Sequence, residues 1–260
     1  MVVSKAAADF GVWMGARSLV RRWLAPSTDR LAREQLRRLR SFLPSQVWQL
    51  ILTSSEEELL TFHQREIAVV FCDLRGFTAF AHEASASETV DVLSAYHRCI
   101  GPVIVEHNGI LERFTGDGLM VYFDAAPLAD QARRAVRMAV RIRDLVGDLV
   151  VGWRDKGHRL AIGVGIDVGL ATLGPIGFEQ RRDYAAIGPV TNLASRLCAE
   201  AGAGEVLVTE RLFATVRDLV HAERLQPRPL KGLDAPVNVY RVWGLADGPD
   251  RSLEYANATR

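Results

Sequence analysis

Cysteine is scarce in this chain of 260 residues: Cys72, Cys99 and Cys198 are too few and too scattered for a disulfide scaffold or a zinc site. Each stands among apolar neighbours, as a buried thiol in a reducing cytoplasm would. The six histidines show no metal-ligand spacing. No stretch approaches 18 uninterrupted apolar residues, so no bilayer-spanning helix is expected. The start lacks a long apolar run ending in a small-residue cleavage site, so no secretory signal is expected either. Net charge is only +1, which removes any overall electrostatic pull toward nucleic acid. No internal repeat is present.

What is there describes a globular chain, 48% hydrophobic and 24% charged. Its length suits one large domain, or one of ordinary size with an appended segment. The small net charge hides an uneven spread. Residues 1–41 hold nine Lys/Arg against three Asp/Glu, leaving the remainder net acidic. Residues 1–28 form a basic amphipathic segment in which Trp13, Leu19, Val20 and Trp23 alternate with Arg17, Arg21 and Arg22. Such a segment can lie on an anionic membrane surface, or pack on a partner or on the body of the protein. The expected location is cytoplasmic, with membrane association as the alternative. Residues 29–64 read as a helical linker that positions two copies of the chain, with apolar spacing from Leu31 through Leu36, Leu39 and Leu43 and a second helical piece over 45–62.

From 65 to 245 strand and helix signals alternate, and 246–260 reads as a polar tail. "REIAVVFCD" is a strand, and residues 87–106 a helix whose His97 is expected to be a satisfied core histidine. "GILERFTGDGLMVYFD" is a hairpin turning at Gly-Asp-Gly. Residues 128–147 are a second helix, and "LAIGVGIDVGLATLG" a Gly-rich strand region. "AAIGPVTNLASRLCAEAG" is a loop and helix closing at Gly202, and "EVLVTE" and "VNVYRVWGL" are further strands. The predicted class is α+β: a ferredoxin-like βαββαβ core sheet with helices on one face, plus an N-terminal helical segment.

In that topology the first and third strands are neighbours, so Asp73 lies beside the turn carrying Asp117. Two carboxylates at one sheet edge repel and raise each other's pKa unless a cation sits between them. Mg²⁺ or Mn²⁺ suits such a pair, taking carboxylate oxygens while keeping positions for waters or phosphates. After Asp73, the stretch Leu74-Arg75-Gly76-Phe77-Thr78 turns strand into helix and leaves amides free for a polyphosphate. Singly, Asp73 is a helix cap and Asp117 an ordinary turn residue; together they favour metal. Asn192 and Arg196 are four apart on a predicted helix and therefore share a face.

The stretches "VVFCDLRGFT", "RFTGDGLMVYF", "DYAAIGPVTNLASRL" and "PLKG", in this order and spacing, resemble a class III nucleotidyl cyclase catalytic domain over residues 65–245. The resemblance implies a metal-dependent adenylate cyclase, a homodimer with sites at its interface, converting ATP, or alternatively GTP, to a 3′,5′-cyclic monophosphate and pyrophosphate. It implies two Mg²⁺ or Mn²⁺ on Asp73 and Asp117, helped by the Leu74 carbonyl, with phosphates on the turn Gly76, Phe77 and Thr78. From the other protomer Asn192 would orient the ribose and Arg196 neutralise charge at the α-phosphate, while Lys231 would reach the terminal phosphates.

Two departures concern the base. Arg113 stands where adenylate-selective members usually carry lysine, and Ala185 where they carry Asp or Thr. An alanine cannot hydrogen-bond a base, so relaxed selectivity, or a nucleotide-binding signalling dimer with weak or no turnover, is the alternative. Pro189 also replaces a commonly acidic residue. Polymerase palms and cyclic dinucleotide synthases place carboxylates on similar sheets. Their Gly-Gly-Asp/Glu-Glu-Phe turn is replaced here by Thr-Gly-Asp-Gly, and no nucleic-acid partner is expected.

Overall fold

The computed structural model describes residue 40 and residues 42–248, apart from positions 44, 54, 56, 58, 59 and 126. The amphipathic segment 1–28, nearly all of the helix expected over 29–43, and residues 249–260 lie outside the described residues. The chain divides into two units, Met1–Gln49 and Leu50–Arg260. The first is described only at a few positions near its end. The helix expected over 45–62 is observed as α1 (Ser45–Thr53), and strand already begins at His63. Among the described residues no helix is long and apolar enough to cross a membrane.

The second unit is built on an eight-stranded sheet among the described residues. β1 (His63–Arg75) is central, because Ile67 to Val70, Cys72 and Leu74 are buried and leave no polar face for solvent. β2 (Ile110–Thr115) and β3 (Gly118–Phe123) form the expected hairpin, with β3 buried along its whole length. β4 (Ala161–Phe178) flanks β1 on the other side, giving the order β2-β3-β1-β4 that a βαββαβ core requires. Among the described residues β5 (Arg181–Ile187) pairs only with β4, and β6 (Glu205–Thr209), β8 (Val239–Leu245) and β7 (Val220–Arg224) extend the sheet beyond the core.

Helices α2 (Phe77–Glu83), α3 (Ala86–Glu106), α4 (Leu128–Asp155) and α6 (Glu210–Val216) cover one face. There Ala68, Val70, Cys72 and Leu74 meet Tyr96, Ile100, Val136 and Ala139. The start of α3 is fixed by a capping box between Ser85 and Glu88.

The two core helices, α3 and α4, lie on one face as expected, and the helix that follows the core does not join them. α5 (Pro189–Glu200) lies on the opposite face, where Val190 and Ala194 pack on Ile67, Val69, Met120 and Tyr122. The Gly-rich pattern of β4 is the physical reason. A Cβ at Gly165 would overlap the Ala194 carbonyl oxygen and the Cys198 amide nitrogen, so glycine lets the helix backbone rest directly on the strand. Gly165→Ala is therefore expected to cost about 3 kcal/mol by chemical denaturation, since neither clashing group is a flexible side-chain end. A cost below about 1 kcal/mol would show that α5 can move off the sheet freely.

Two boundaries also differ. Residues 185–187, expected as loop, end strand β5, and α4 runs eight residues past Gly147. Leu149, Val150 and Trp153 pack on the core and offset the glycine there.

Candidate active site

The site begins with a register. Asp73 pairs with Gly118 of β3 on one side and Gly163 of β4 on the other, so its side chain stands between two positions that carry none. A Cβ at Gly118 would lie 3.0 Å from Asp73 Oδ1 and from the Cys72 carbonyl oxygen. Its absence lets the turn with Asp117 close against Asp73. The Asp73 carboxyl is held above the usual carboxylate range, first by burial and then by the Asp117 charge, with Arg75 opposing both. Asp117 immediately precedes Gly118, the register partner of Asp73, so the turn brings it next to the end of β1.

Arg75, two residues along the strand and on the same face, donates from Nη1 to Asp73 Oδ2 at 2.7 Å. Among the described residues no group of three or more His, Cys, Asp or Glu is placed to hold a metal ion by itself. A hard divalent cation fits this donor set: two anionic oxygen donors at a half-buried rim, the remaining positions open to carbonyl, water or phosphate oxygens. Leu74 follows Asp73 with its side chain buried in the core.

The turn after the strand is fixed by Gly76, whose φ of 79° is left-handed and whose missing Cβ would overlap the Arg159 carbonyl oxygen. Gly76 caps α2 without a side-chain hydrogen bond. The amides of Phe77 and Thr78 thus open the helix with no intrahelical acceptor. Phe77 packs against the core, and Thr78 is exposed.

The remaining residues fall elsewhere. Asn192 and Arg196 are exposed on the side of α5 opposite buried Val190, Ala194 and Leu197, and neither side chain has a partner among the described residues. Pro189 takes the first helical position, where its missing N–H costs nothing. Lys231 is exposed on a loop that Leu230 anchors against Leu197 and Ala201, at the C-terminal end of α5. Arg113 on β2 and buried Ala185 on β5 lie on strands that meet. Glu112 accepts from the Ala186 amide at 3.3 Å and pairs with Arg113 at 3.2 Å.

Two of these neighbours escaped the sequence reading. Glu112 is the extra residue of a β-bulge between Leu111 and Arg113; its side chain is 3% exposed and burial lifts its pKa. No sequence signal marks that bulge. Arg75 could have been found, because residues two apart on a strand share a face. His97 differs from expectation: its ring packs on Tyr96 and Phe114, but Nε2 has no hydrogen-bond partner among the described residues.

Comparison with known proteins bears on the family and the fold. A family model described as the adenylate and guanylate cyclase catalytic domain matches residues 61–243. A terminal-differentiation-specific adenylate cyclase of Dictyostelium discoideum is 29% identical over 229 residues, covering 83% of this chain and 11% of that protein. The chain spans between 11% and 37% of the length of three curated relatives it matches. The adenylyl cyclase CyaB from P. aeruginosa superposes with a TM-score of 0.67 at 31% identity, over 70% of this chain and 96% of that one. The guanylyl cyclase Cya2 does so with a TM-score of 0.64 at 31% identity, over 71% and 95%.

Proposed function

Because the chain belongs to the adenylate and guanylate cyclase catalytic domain family, we propose that it is a metal-dependent adenylate cyclase whose active site is completed between two copies of the chain. The 3′ hydroxyl of ATP loses its proton and bonds to the α-phosphorus, while the bond from that phosphorus to the β-phosphate bridging oxygen breaks and pyrophosphate leaves. The observation that carries this reading is Asp73 set between Gly118 and Gly163 and facing the Asp117 turn.

Asp73 and Asp117, with the Leu74 carbonyl, would hold two Mg²⁺ or Mn²⁺. Bound there, the ions would supply charge neutralisation and activation of the attacking oxygen. The rest falls to the protein. The free amides of Phe77 and Thr78 beyond Gly76 bind phosphate oxygens, and Lys231 reaches the terminal ones from its anchored loop. Asn192 of a second copy orients the ribose and Arg196 neutralises charge gathering on the α-phosphate, a reaction that depends on positioning and electrostatics more than on covalent help. That both are exposed and unpartnered supports a role toward another chain.

The experiment is a side-by-side assay of the full chain with Mn²⁺ and ATP or GTP, identifying the product by chromatography. Cyclic AMP exceeding cyclic GMP supports the adenylate reading, and equal products support relaxed selectivity. Arg113 is tied to Glu112 and the Ala185 side chain offers no polar atom. These two facts favour one alternative, a nucleotide-binding dimer with weak or no turnover. Metal-dependent nucleotide affinity by calorimetry with no product over hours would establish it instead.

A further inference from the structure

Arg75 does more than neutralise Asp73. Its Nε donates to the Ala201 carbonyl oxygen at 2.8 Å, and its Nη2 donates to the carbonyl oxygen of Cys198, whose sulfur lies 3.8 Å away. These carbonyls end α5, where the last turn has acceptors to spare and a cation is favoured by the helix dipole. One guanidinium thus holds a carboxylate at the end of β1 and the C-terminal end of a helix whose Ala201 lies 126 residues further along the chain.

The route is built into the sheet. To reach α5 the side chain crosses β4 at Gly163, where a Cβ would lie 2.5 Å from both Nε and Nη2. Gly165, one step further on the same face, admits the backbone of α5. The Arg75 side chain is 24% exposed, shielded enough for its charge to count and open enough to shift. Its planar fork is what allows three acceptors in different directions to be served at once.

We infer that Arg75 is a positioning residue that makes cation binding at Asp73 felt by α5, the helix that carries Asn192 and Arg196. The inference rests on the reading of Asp73 and Asp117 as a cation site. In the metal-free protein Arg75 is the counter-ion of Asp73. A divalent ion on that carboxylate competes with the guanidinium and repels it, so Arg75 is left to the carbonyls of Cys198 and Ala201. Metal affinity and the state of the helix end are then linked, and each alters the other by the same factor.

The test uses Mn²⁺ alone, without nucleotide, on the full chain. Arg75→Gln removes the charge yet keeps donors for the helix carbonyls, and Arg75→Lys keeps the charge. Mn²⁺ affinity is read from the electron paramagnetic resonance of the free ion, corrected for folded fraction. Arg75→Gln is expected to bind Mn²⁺ roughly two- to five-fold more tightly than wild type, the scale of a partly exposed ion pair, and Arg75→Lys to match wild type. Hydrogen exchange at 197–202 is expected to change about twofold or more on adding Mn²⁺ to wild type, and to stay constant in Arg75→Gln.

A merely structural arginine would lower the melting temperature of both variants and leave Mn²⁺ affinity per folded molecule unchanged. That result overturns the inference, as does an exchange response that persists in Arg75→Gln. An Asp73→Asn control separates the two readings. If it binds Mn²⁺ as wild type does, the cation site itself is wrong and the linkage falls with it. If it binds more weakly while Arg75→Gln equals wild type, only the linkage fails.

Discussion

Asp73→Asn is expected to reduce cyclic nucleotide formation to background, a loss of roughly a thousandfold or more, because charge stabilisation worth several kcal/mol goes with the lost ligand. The substitution keeps the shape of the side chain between Gly118 and Gly163, so loss of activity need not mean loss of fold. The electrostatics make a second demand on the same variant. Burial, then Asp117, raise the Asp73 carboxyl above its usual range, with Arg75 opposing them. A carboxyl whose folded pKa exceeds its unfolded one stabilises the fold fully only below the unfolded value. That contribution disappears as pH rises through the folded value. At neutral pH the ionised Asp73 is therefore a cost to the metal-free fold, and the neutral amide is free of it.

Metal-free Asp73→Asn should accordingly melt at or above the wild-type temperature near pH 7. Adding Mn²⁺ should raise the wild-type transition by mass action and leave that of the variant where it was. Melting curves with and without the ion, beside the product assay, check both halves. A variant that keeps its activity, or that responds to Mn²⁺ as wild type does, would remove Asp73 from the metal site.

How far the sequence could be read follows from how local each signal is. The end of β1 was legible because four apolar residues and a carboxylate followed by glycine stand in one short stretch. The hairpin was legible because Gly-Asp-Gly separates two apolar runs. Their adjacency needed only the βαββαβ topology. The position of α5 was not legible, since it depends on missing side chains at Gly163 and Gly165, which on paper only weaken a strand. β5 carries no strand signal of its own, since Arg181, Arg182 and Asp183 lack strand character, and among the described residues β4 supplies its pairing. Short β7 and α6 carry too few residues for a period to show. The Glu112 bulge and the contacts of Arg75 are tertiary facts that no spacing encodes.

Arg196→Ala is the second substitution expected to have a large effect, roughly a thousandfold on turnover with little change in stability. The side chain is exposed, has no partner among the described residues, and lies on the side of α5 away from the sheet. Removing it leaves no cavity and no unpaired acceptor, so the melting temperature should hold. Asp73 is on the sheet face that α5 covers, close enough to the helix end for Arg75 to bind both. The two groups of candidate residues thus leave the same chain in different directions. If the site forms between copies, a chain carrying Asp73→Ala and one carrying Arg196→Ala are each inactive alone and complement when mixed. In a head-to-tail pair with random exchange, half the dimers are mixed and each retains one intact site, so about a quarter of wild-type activity should return. Inactivity at every mixing ratio, with exchange of subunits verified by differently tagged chains, would mean that Arg196 and Asp73 do not serve one site across an interface. The exposure of Asn192 and Arg196 would then have to be explained by a partner other than a second copy.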